Sequence, residues 1–70
     1  MSEQELIDLA REYADRRGWT WREPVQARLV KWKGVDACQI DTHIGFRGLN
    51  VSVVVAVTDG SILNAAYMPR

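Results

Sequence analysis

This chain is short of the residues that most often carry chemistry. Its 70 residues include one cysteine, one histidine and two prolines. The lone Cys38 makes no internal disulfide, and one cysteine with one histidine falls short of the three or four ligands with regular spacing that a zinc site needs. Excess charge of either sign is also missing, since nine Lys and Arg balance nine Asp and Glu. That balance argues against nucleic acid as the main partner, because phosphate binding depends on a surplus of basic side chains. No apolar run approaches the length of a membrane span. The opening MSEQELIDLA lacks the basic and continuous apolar regions of a secretory signal. The expectation is a protein of the reducing cytoplasm with no membrane attachment. A glycine-rich phosphate loop, a nucleophile elbow and paired catalytic carboxylates are all absent, so no cofactor or metal is expected either.

What the chain does have is material for one small core. Apolar residues make up 47% of it and three are tryptophan, which places it among globular chains but near the size where a core only just offsets chain entropy. A single domain over residues 1–70 follows. Ser2 and Glu5 form a capping-box pattern, Leu6, Leu9, Ala10, Tyr13 and Ala14 fall on one stripe, and Gly18 suits a helix stop. The pattern predicts a helix over residues 3–17.

Four strands are predicted after it. Pro24 marks the entrance to the first, over residues 25–33, an edge strand whose apolar alternation shifts phase between Leu29 and Val30. A β-bulge there would turn both sets, Val25, Ala27 and Leu29 with Val30 and Trp32, toward the core. Gly34, Val35 and Asp36 form the next turn. Cys38, Ile40, Thr42, Ile44 and Phe46 then alternate with Gln39, Asp41 and His43. A two-residue Arg47-Gly48 turn would set Ile44 against Val51, Thr42 against Val53 and Ile40 against Val55, so that the apolar faces coincide. The longest alternation, Leu49, Val51, Val53, Val55 and Val57, leads into a three-residue turn at Thr58-Asp59-Gly60. That turn would set Leu63 against Val55, Ala65 against Val53 and Tyr67 against Val51. The architecture expected is α+β in two layers, one N-terminal helix on a four-stranded antiparallel meander.

The helix ending in Gly18-Trp19 and the closing VSVVVAVTDGSIL, with alternating valines and the Asp59-Gly60 turn before Ile62 and Leu63, resemble a PepSY-type module. The resemblance covers the helix and the last two strands. It implies a cystatin-like arrangement of helix and sheet and a module that binds or restrains peptidases or other partners without catalysis. Small immunity proteins with one helix and a comparable sheet are similar to the same extent.

Candidate functional residues are few. Cys38 and His43 differ by an odd number within one strand, which puts them on opposite faces and leaves Cys38 as a small buried residue. Asp41 and His43 share the outer face as the one candidate acid–base pair, with a solvated polar face as the plainer reading. Val54, Ala56, Ile62, Ala66 and Met68 are expected as an apolar patch on that face beside Asp41 and His43, a surface for a protein partner or for a homodimer. Lys31-Trp32-Lys33 interleaves basic groups with an aromatic, the alternative nucleic-acid contact, against which stands Trp32 in the core between lysines that protect an edge. The function expected is a non-enzymatic protein-binding or regulatory module, peptidase-inhibitor-like or immunity-like.

Overall fold

The computed structural model describes residues 1–69, with α1 at Glu3–Arg16, β1 at Gln26–Trp32, β2 at Val35–Asp41, β3 at Asn50–Ala56 and β4 at Ile62–Met68. The sheet is antiparallel in the order β1-β2-β3-β4, and the helix lies against β3 and β2. This is the two-layer α+β meander expected from the chain.

Local chemistry sets both ends of α1. Ser2 Oγ accepts from the Glu5 N–H at 3.2 Å while Glu5 Oε1 accepts from the Ser2 N–H at 2.9 Å, closing the capping box. These bonds with Ser2, the backbone one foremost, hold the Glu5 carboxyl below its ordinary value of 4.5. At the other end Gly18 takes φ +74°, the Trp19 N–H reaches Ala14 O at 2.9 Å and the Gly18 N–H reaches Asp15 O at 3.0 Å. That pair is a Schellman motif, and it turns Trp19 back across the helix end. There the Trp19 ring stacks on Tyr67 at 5.5 Å and meets Tyr13 edge-on at 5.8 Å, sealing the core.

The core lies between the helix and the inward face of β2 and β3: Leu6, Ala10 and Ala14 against Cys38, Ile40, Val51, Val53 and Val55. Burial pushes the Cys38 thiol above its ordinary value of 9.0, with the charge of Glu3 adding to the effect. The thiol is therefore a packed apolar group.

Several sequence expectations change in the structure. β1 pairs with β2 without a bulge, from Gln26 opposite Asp41 to Trp32 opposite Val35, closed by a two-residue turn at Lys33 (φ +48°) and Gly34 (φ +83°) in place of a turn at 34–36. An unbroken strand alternates strictly, so Ala27 and Leu29 face the helix side while Val30 and Trp32 lie on the outer face with Ala37 and Val35. Trp32 is thus not a core residue. The β2–β3 ladder sets Ile40 opposite Val53 and Cys38 opposite Val55, two residues from the register expected. The faces survive a shift of two; the loop grows to residues 42–49, and Ile44 leaves the ladder. Between β3 and β4 the pairs Val53–Ala65 and Val51–Tyr67 form as expected, but a bulge sets Ile62 opposite Val55. Ile62 therefore packs on the core and drops out of the outer patch. The connection spans five residues, 57–61, with Gly60 at φ +75° beside Leu9 and Met1, and Asp59 accepting from the Ser61 N–H at 2.9 Å and from its hydroxyl.

Candidate functional site: the loop between β2 and β3

The irregular part of the sheet begins at Thr42, which is buried. Its N–H continues the ladder to Val51 O at 3.0 Å, but its hydroxyl rather than its carbonyl takes the Val51 N–H, at 2.9 Å. The carbonyl is left for Asn50. The Asn50 side-chain amide donates to Thr42 O at 3.1 Å, His43 O at 3.1 Å and Phe46 O at 3.2 Å, so one amide gathers three carbonyls of the loop. An amide has two hydrogens, and one of them is shared between two acceptors. The ladder ends here because its next acceptor is already occupied.

The loop backbone is anchored on its other side as well. The His43 N–H bonds to Arg22 O at 2.9 Å and the Ile44 N–H to Pro24 O at 3.2 Å, which fastens the loop to the segment ahead of β1. The His43 Nδ1–H donates to Gly48 O at 2.9 Å, and the imidazole lies nearly parallel to the Phe46 ring, 13° apart in plane and 4.5 Å between centres. His43 and Leu49 both take left-handed φ, +55° and +57°. Such values are uncommon outside glycine and persist where surrounding bonds impose them. The result is a closed loop that holds its polar groups inward and its apolar side chains outward: Phe46 is 57% exposed, Ile44 37%, and Arg47 lies exposed beside them. Exposed Met68, opposite Asn50 in the ladder, stands at the same end of the sheet.

The other candidates are placed as follows. Asp41 is on the outer face, where its carboxylate accepts from Gln39 Nε2 at 3.2 and 3.3 Å. His43 has left the strand, its Nδ1 bonded to Gly48 and its ring stacked on Phe46, and among the described residues no hydrogen bond joins it to Asp41. Val54 and Ala56 are buried at 2% and 3% exposure, Val54 between Gln39 and Asn64 in the ladder. With Ile62 on the core side, only Ala66 and Met68 of the five-residue patch are open. Lys31 and Trp32 project from opposite faces; Lys31 Nζ pairs with Asp36 at 2.6 Å, and Lys33 Nζ sits 5.9 Å from the centre of the Trp32 ring. Lys33 thus keeps company with Trp32 while Lys31 lies on the other face.

Sequence reading missed the loop because Ile44 and Phe46 prolong the alternation of β2. A signal was present in Gly45 and Gly48, which adopt φ +89° and +83°. Asn50, an asparagine inside a valine strand, is the second clue. Comparison with family models, with curated proteins and with solved structures finds no match for this chain.

Proposed function

We propose that this protein is a non-enzymatic protein-binding module of regulatory type, inhibitor-like or immunity-like, whose recognition surface is loop 42–49. One observation carries the reading: a loop fixed at eight of its backbone carbonyls and amides nevertheless directs Ile44, Phe46 and Arg47 into solvent. Exposing a phenylalanine stabilises nothing in the free chain, and fixing it beforehand lowers the entropy lost when a partner covers it. Aromatic and arginine side chains on a rigid support are also the residues that dominate protein interfaces. Among the described residues no hydrogen bond joins the groups that catalysis would use: Cys38 is packed in the core, Asp41 accepts from Gln39 and His43 donates to Gly48. The helix and closing hairpin that resemble PepSY-type modules fit a binding role, and the reducing cytoplasm is the compartment proposed for it. No helix among the described residues is long and apolar enough to cross a membrane.

The test is a capture experiment with three baits: the wild-type chain, Phe46→Ser with Arg47→Glu, and Met68→Glu. We expect a partner retained by the first and lost by more than tenfold with the second, both baits having the same circular dichroism and unfolding midpoint. A partner retained equally by all three would move recognition away from the loop. Retention of oligonucleotides that weakens steeply as salt rises would replace the reading with nucleic-acid binding.

A further inference from the structure

The sheet has two edges, and they are built differently. β4 carries the bulge at Leu63, between Ile62 opposite Val55 and Asn64 opposite Val54, and is followed by Pro69, features that interrupt strand addition. β1 is seven residues long, paired with β2 throughout, and has neither bulge nor proline. Its centre is Leu29, 80% exposed. The helix packs mainly on β2 and β3, and Leu29 stands at the rim of a groove of about 470 Å³ lined also by Leu6, Ala27, Cys38 and Val57. A fully paired edge strand with an open apolar residue at its midpoint is a surface for adding another strand.

We propose that two copies of this chain join by antiparallel pairing of β1 about a two-fold axis at Leu29, making one eight-stranded sheet with both helices on the same face. The midpoint position of Leu29 is the first reason. A two-fold there places Leu29 against its own copy, aligns all seven residues of each strand, and merges the two half-open grooves into one apolar space that two leucines fill. Charge is the second reason. In this register Ala27 faces the partner's Lys31, Arg28 faces the partner's Val30 and Gln26 faces the partner's Trp32, so no like charges stand directly opposite. The two Arg28 side chains sit diagonally on the outer face, where their length lets them diverge. On the helix face, each Lys31 comes to rest beside the other copy's Ala27, in a groove that Glu3 also lines. The present partner of Lys31 is Asp36, in a solvent-exposed pair that is weakly held and readily exchanged. This interface is separate from loop 42–49 and does not depend on it.

Sedimentation velocity over a concentration series, with a thiol cross-linking arm, decides the matter. The wild type is expected to sediment at twice the chain mass, Met68→Glu at the same mass, and Leu29→Glu at the mass of one chain with unaltered circular dichroism. Leu29→Cys, made together with Cys38→Ser, is expected to form a covalent dimer within minutes of mild oxidation, since directly opposed residues of an antiparallel pair lie within disulfide reach. This arm keeps the test decisive if Leu29→Glu fails to fold. A wild type that stays monomeric throughout the series, a dimer that persists in folded Leu29→Glu, or a Leu29→Cys chain that oxidises no faster than a Met68→Cys control overturns the proposal.

Discussion

Ile40→Ala should remove about half of the chain's unfolding free energy at room temperature. Ile40 is fully buried and flanked by Ala27 and Val53 in the ladder, on the face that meets the helix. Removing its three outer carbons costs the transfer of apolar surface and a cavity, together about 2–5 kcal/mol. A chain of this length holds a total stability of roughly 4–10 kcal/mol. One truncation at the centre therefore consumes a large share of what is available, whereas a larger domain would tolerate it. Little collapse can soften the loss, because the neighbouring core positions on the helix are Ala10 and Ala14 and already bring the backbone close. Urea unfolding followed by circular dichroism measures it. A drop below about 1 kcal/mol would show that the helix–sheet contact is not the main source of stability.

Asn50→Ala comes second in size, and its effect should be confined largely to one region. The substitution removes the donors to Thr42 O, His43 O and Phe46 O. Each net hydrogen bond is worth about 0.5–1.5 kcal/mol, and carbonyls left partly buried without partners add to the loss. We expect a cost of about 2–3 kcal/mol, with loop 42–49 released while the β3–β4 ladder persists. Asn50→Asp is expected to be no milder, although it preserves shape, since it turns a lone pair toward carbonyl oxygens where the amide offered hydrogens. Hydrogen exchange read residue by residue separates the two effects: amides of His43 and Ile44 should lose protection by a larger factor than those of Val53 and Val55. Equal loss at both places would mean that Asn50 supports the whole fold and that the loop is not an independent unit.

What could be read from the sequence follows the range of the interactions responsible. The helix was legible at both ends because its signals are local: Ser2 and Glu5 bond each other three residues apart, and Gly18 supplies a left-handed residue where the helix stops. Face parity was legible too. Cys38, Ile40 and Thr42 face the same way as Val51, Val53 and Val55, whichever even register applies. The register itself was not, because Ile44 and Phe46 imitate two more strand residues. The left-handed residues of the loop, His43 first among them, and the amide of Asn50, eight residues from the carbonyl of Thr42, divert the chain. The first strand failed for a different reason. A bulge would turn both Leu29 and Val30 inward, yet β1 pairs with β2 unbroken, so of any two adjacent residues one faces away from the helix. The candidate site lies where the first of these differences falls, in Ile44 and Phe46, which the sequence pattern assigns to a core and the fold leaves in water. Exposed apolar residues of this kind are the ones a binding function explains.

The central claim is that loop 42–49 is held in one conformation before any partner arrives. Backbone nitrogen relaxation of the free wild-type chain tests it most directly, at Ile44, Gly45, Phe46 and Arg47. The account predicts order parameters of about 0.85, like those of the strands on either side, and values below about 0.6 in that segment would contradict it.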